Sequence, residues 1–254
     1  MKENTNRPEK VSLGELDLPK DLKNLSLPQC SALCKEIRGI LISTVSKNGG
    51  HLASNLGAVE LTVAIHRNFN SPDDKIVWDV GHQAYTHKIL TGRLDRFSSL
   101  RQENGISGFP KPEESEHDTF ISGHSSTSVS VACGIAEAMR LQGKDNYTVA
   151  VIGDGAMTGG MFYEAMNNCG RDHKNNLIVI LNDNNMSISK SVGSLSKYLT
   201  TLRSSENYYK TKEAVKKGLK KIPLVGNSVQ KGIKNVKDSV KSNILEQSTM
   251  FEDM

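Results

Sequence analysis

The sequence predicts an α/β fold, a mostly parallel sheet with helices on both faces. Two short apolar runs rich in β-branched residues, 147–152 and 177–181, each lead into a polar cluster, and a helical stretch around 161–168 lies between them. A parallel strand pair joined by a helical crossover needs that spacing. A third apolar run, 75–80, follows segments whose apolar residues recur at helical spacing.

Taken in order, residues 30–47 read as a helix because Leu33, Ile37, Ile40, Leu41 and Val45 fall on one face. A second helix is expected over 56–68, then the strand 75–80, with His82 just past its end after Gly81. Residues 101–118 carry glycines, prolines and charges and read as a long loop. Loops of that length in a compact domain are usually functional, and the stretch around Pro110 and Pro112 is a candidate to close over a ligand. Residues 127–141 form a helix of small and apolar residues, among them Val131, Ile135, Ala138 and Met139. The Ser and Thr at its start can cap free amides, or the amides can face an anion.

The chemistry concentrates where the last two strands end. Gly153-Asp154-Gly155 follows one and Asn182-Asp183-Asn184 follows the other. A carboxylate between two glycines is odd in a bare phosphate cradle, because it repels the anion that a helix N-terminus attracts. A bridging divalent cation removes the conflict, since Mg²⁺ takes one or two protein carboxylates and completes its shell with phosphate, carbonyl and water oxygens. Asp154 and the amide oxygen of Asn184 are the candidate side-chain ligands, at the carboxyl strand ends where open α/β sheets bind ligands. An ordinary turn is the plain alternative. A dinucleotide fingerprint is the other, but Thr158 fills the position of its third glycine.

Composition sets limits. The chain has 254 residues, 37% of them hydrophobic and 24% charged, enough for one large α/β domain or two small ones. The polar N-terminus lacks the apolar core of a signal peptide or anchor, and no apolar run reaches the roughly 20 residues of a membrane span. A cytoplasmic protein is expected. Cys30, Cys34, Cys133 and Cys169 form no C-x-x-C pair and read as reduced thiols. His66, His87, His117 and His173 show no metal-ligand spacing and read as surface or packing residues. The formal net charge of +4 comes from residues after Leu202. That basic stretch has few aromatics, so it reads as a solvated connector, with neither a nucleic acid nor a membrane as partner.

Five segments together resemble one family. His51-Leu52-Ala53-Ser54-Asn55-Leu56-Gly57, the stretch from Trp78 through Gly81-His82-Gln83-Ala84 to Tyr85, and Gly123-His124-Ser125-Ser126-Thr127-Ser128 join the two strand-end clusters. The pattern is similar to that of 1-deoxy-D-xylulose-5-phosphate synthases over nearly the whole chain from about residue 27. The resemblance implies a transketolase-like, thiamine diphosphate-binding diphosphate domain over 1–202. Residues 203–254 would be a basic connector to a pyrimidine-binding domain.

It further implies decarboxylation of pyruvate and transfer of the resulting fragment to glyceraldehyde 3-phosphate, by a homodimer. Mg²⁺ would be held by Asp154, Asn184 and the main-chain carbonyl of Met186. Gly155 and Ala156 would give amides to the diphosphate, with Gly123, His124 and Ser125 as another part of the cofactor site. His82 would lie near the diphosphate or the reacting centre, and His51 would serve substrate binding or proton transfer. In the resembled family a catalytic glutamate belongs to the pyrimidine domain, so this chain alone is expected to bind the cofactor weakly and turn over little. The N-terminal chain of a two-chain transketolase and a non-catalytic cofactor-binding module are the competing readings.

Overall fold

The computed structural model describes residues 11–170 and 175–183. Strands β1 (Lys75–Trp78), β2 (Thr148–Gly153) and β3 (Leu177–Asn182) pair in parallel in the order β1-β2-β3. Register aligns Ile76 with Val149 and Ile178, and Trp78 with Val151 and Ile180, so all six share one face. That face packs on Leu61 and Ile65 of a helix, α3 (Val59–Asn68). Thr148 is on the opposite face, where its Oγ1 lies 3.7 Å from Met139 Sδ of α5 (Ser128–Leu141). Both faces are therefore covered by helices, as expected. The crossover helix α6 (Gly160–Gly170) lies against α5, with Asn168 Nδ2 3.8 Å from Cys133 Sγ.

Helix α1 (Leu27–Asn48) starts earlier than its apolar spacing suggests, because a capping box precedes it. The Gln29 N–H donates to Ser26 Oγ and the Ser26 N–H donates to Gln29 Oε1. Leu33, Ile37, Leu41 and Val45 bury the other side of α3, through Val59 and Val63, in a second core with Tyr85 and Phe97. Helix α3 is thus the shared layer between the sheet and α1. Each such aliphatic side chain contributes about 1.5–3 kcal/mol by leaving water.

Two further boundaries differ from the sequence reading. The expected helix 56–68 is two helices, α2 (Leu52–Leu56) and α3, broken at Gly57 and Ala58. The expected strand 75–80 stops at Trp78, because the Gly81 N–H turns back to the Asp79 carbonyl at 2.6 Å. Val80 sits at the centre of that three-residue turn with φ 59°, a left-handed value that costs a β-branched residue about 1–3 kcal/mol.

The 101–118 segment is a loop, as expected, and of the histidines expected at the surface or in packing, two are packed inside. His66 and His87 are 1% and 0% exposed and belong to a buried polar network. His87, in the short helix α4 (Tyr85–Lys88), makes a 3.0 Å bond through Nε2 to Asp118, and its Nδ1 lies 2.8 Å from His66 Nε2. A carboxylate only accepts, so His87 carries its proton on Nε2 and His66 donates to the free Nδ1. Arg93 donates to both Asp118 oxygens at 2.6 and 2.8 Å, and Lys88 donates to Glu114 at 2.7 Å. The Lys111 and Ser107 amides donate to Asp118 and Glu114. The segment around Pro110 and Pro112 is tied to this network by those two amides.

Burial works to raise the Asp118 carboxyl, but the hydrogen bonds and charges of His87 and Arg93 overcome it and hold the group far below its usual range. Burial, partly opposed by Asp118, lowers His87, and it holds His66 well below the usual histidine value. Loss of the Asp118 carboxylate would strand Arg93 and Lys88 with Glu114 alone. Asp118→Ala is expected to cost about 3–5 kcal/mol in urea unfolding, and a cost within experimental error would show that the network does not hold the fold.

The histidines also set a pH dependence. Burial is the first cause lowering His51, His66, His82, His87 and His117, so all five favour the neutral form when folded. The unfolded chain takes up protons near pH 6.5, so this stability is complete above that pH and is lost as the pH falls through the depressed folded values. Urea midpoints should drop between about pH 7 and pH 5, with a shallower slope in His87→Gln. A midpoint that held or rose on acidification would contradict this.

Candidate active site at the strand ends

Asp79, one residue past β1, is 1% exposed. Its Oδ1 accepts the Ser126 N–H at 2.9 Å and its Oδ2 the Ser128 N–H at 3.0 Å. The N-terminal amides of α5 are therefore capped from another strand, not by the Ser and Thr beside them, and Thr127 makes no side-chain cap. A carboxylate suits this place because charge and N–H groups favour one another at a helix N-terminus. The loop is held twice more: Ser122 Oγ donates to the Trp78 carbonyl at 3.0 Å and Ser126 Oγ to the Ala156 carbonyl at 2.6 Å. A Cβ on Gly159 would stand 2.1 Å from Ser126 Oγ, so that close approach requires glycine.

The result is one surface built from three strand-end loops. Gly123, His124 and Ser125 are exposed immediately before Ser126, which is bonded to Ala156 of the Gly155-Ala156 pair. Gly153 lies opposite Asn182 in the β2–β3 register, so the two polar clusters begin side by side. Asp154 is half-buried, and nothing lies within 4 Å of where a Cβ on Gly155 would stand. Asn184 and Met186 lie outside the described residues. Among the described residues, no group of three or more His, Cys, Asp or Glu gathers as a metal site.

The two candidate histidines meet. The His51 and His82 ring centroids are 5.4 Å apart at an interplanar angle of 76°, and Phe109 stands 6.2 Å from His51. Burial and then the Arg101 charge lower His51, while burial and then His51 lower His82 against the pull of Asp79. His82 Nδ1 is buried with no hydrogen-bond partner among the described residues. Asp79, Ser126 and Phe109 were not singled out as site residues by sequence reasoning. The usable signal for Asp79 was an acid ending an apolar strand just before Gly81, whereas Phe109 gave none.

The parallel sheet covered by helices on both faces has a transketolase-like fold. Solved transketolases from Campylobacter jejuni and Leishmania mexicana are similar at TM-scores of 0.59 and 0.54, with 24% and 22% identity. Those likenesses cover 66% and 67% of this chain and 30% of each transketolase. The chain belongs to the 1-deoxy-D-xylulose-5-phosphate synthase family, whose model matches residues 13–254. It is 58% identical over 243 residues to the synthase of Alkaliphilus oremlandii and 54% identical over 242 residues to that of Syntrophomonas wolfei. Each match covers 95% of this chain, which spans 38% of the length of either relative. The family read from the five segments is therefore the one found. No helix among the described residues is long and apolar enough to cross a membrane.

Replacing Asp79 by its amide would turn an N–H group toward one of the two loop amides. Asp79→Asn is expected to lose about 1–3 kcal/mol and to speed hydrogen exchange at Ser126 and Ser128. Unchanged exchange there would disprove the capping role. Gly81→Ala is also expected to destabilise the turn, since φ is +83° and the new Cβ would meet Pro110 Cδ at 2.5 Å. A thermal scan should place the loss at about 1–3 kcal/mol, and a neutral result would refute the close approach.

Proposed function

We propose that this chain supplies the diphosphate-binding part of a thiamine diphosphate-dependent 1-deoxy-D-xylulose-5-phosphate synthase. The complete protein would be a transketolase-like transferase that decarboxylates pyruvate and joins the remaining fragment to glyceraldehyde 3-phosphate. One observation carries the reading: in a chain of this family, the β2–β3 register sets the Gly153-Asp154-Gly155 turn beside the start of Asn182-Asp183-Asn184. A cytoplasmic homodimer without nucleic-acid or membrane partners is part of the same proposal.

The residues fit a Mg²⁺-bound diphosphate. Asp154 offers a hard carboxylate oxygen, Gly155 leaves open space beside it, and the orphaned His82 Nδ1 is a buried polar atom that a bound group would satisfy. Asp154, Asn184 and the Met186 carbonyl would hold the cation. The Gly155 and Ala156 amides, with Gly123, His124 and Ser125, would hold the diphosphate, as helix-start amides hold anions. When bound, thiamine diphosphate supplies an electron sink for the carbon that loses carbon dioxide. His51 and His82, with burial favouring their neutral forms, can each take or return a proton at a substrate oxygen.

Asp154→Ala is expected to weaken Mg²⁺-dependent thiamine diphosphate binding by at least about tenfold in calorimetry, with an unchanged circular dichroism spectrum. Undiminished binding would remove Asp154 from the metal site. Formation of deoxyxylulose phosphate from pyruvate and glyceraldehyde 3-phosphate by the complete protein, abolished by the same substitution, tests the reaction.

A further inference from the structure

We propose that Asn55 is a positioning residue that sets the separation and orientation of the His51 and His82 rings. The inference rests on the reading of those histidines as the reaction-facing pair. Asn55 is 0% exposed, and its carboxamide reaches three segments of the chain. Nδ2 donates to the carbonyls of His51 and His82, both at 2.7 Å, and Oδ1 accepts the Tyr85 N–H at 2.9 Å. Both amide protons are used, so one planar group joins the start of α2, the turn after β1 and the start of α4.

The geometry explains why the residue is asparagine. The two carbonyls point at one nitrogen, and without that donor the His82 carbonyl loses the side-chain bond that ties it to α2, while the His51 carbonyl keeps the longer 3.4 Å bond from the Asn55 N–H. Leucine would keep the volume and lose every bond, and glutamine would push its amide past both carbonyls. The backbone of Asn55 is held separately, its carbonyl accepting the Ala58 N–H at 3.1 Å, so the side chain is free for the clamp. Because each histidine is tied at its own carbonyl, the clamp acts at the root of each ring and needs no contact with a ligand.

Histidine proton titration by NMR on the full chain provides the test, through a double-substitution cycle. His82 faces His51 and Asp79, and His51 faces Arg101, so removal of the His51 ring should move the His82 midpoint. His51→Gln is expected to raise the His82 midpoint in the otherwise unaltered chain. In the Asn55→Ala background the same change should have less than half that effect, because the rings drift apart. Should Asn55→Ala fail to fold, Asn55→Asp keeps the shape and the Tyr85 acceptor while losing the donors. Its added charge acts on both arms of the cycle and cancels. An equal effect of His51→Gln in both backgrounds overturns the role of Asn55. No effect of His51→Gln in the unaltered chain overturns the histidine pairing itself.

Discussion

The carboxylate of Asp79 carries the arrangement of the strand ends. It is buried at the end of β1, where an isolated charge would be costly, and the two amides it accepts belong to a loop and helix start some fifty positions further along the chain. Charge-assisted bonds of this kind are stronger than neutral ones, so the loop before α5 is held to β1 rather than to itself. Ser126 then extends the tie to Ala156 after β2. Three loops that diverge in sequence are thereby kept on one rim, and the β2–β3 register brings the Asn182 cluster to the same edge.

Beneath that rim lies a second constraint of different character. Asp118, Arg93, His87, Lys88 and Glu114 form a buried ionic group that grips the 101–118 segment through the Lys111 and Ser107 amides. Such groups add little net stability compared with apolar packing, but they are costly to leave half-made, which makes them selective for one arrangement. Here the arrangement presents Phe109 to His51 and Pro110 to Gly81. A segment that looks loose in composition is thus anchored beside His51 and Gly81.

Two pairs of histidines differ in depth. His66 and His87 are sealed in the ionic group, and their tautomers follow from the Asp118 carboxylate. His51 and His82 stand at the rim, where partial burial favours neutral rings, with Arg101 adding to the effect at His51 and His51 adding to it at His82. Neutral imidazoles can both give and take a proton, which is the property the proposed function asks of this pair.

By itself the sequence determined the local and periodic features. The strands, α1 and α5 followed from apolar runs and spacing, and α6 from the length of chain that a parallel crossover needs, because these are properties of neighbouring residues. The strand-end motifs were likewise legible as short runs, and they named the family. Tertiary structure alone decided what depends on residues distant along the chain: Asp79 capping α5, Asn55 reaching His82, and His66 joining His87 and Asp118. A buried polar side chain is defined by the partners that satisfy it, and no local pattern of residues records which partners the fold will bring.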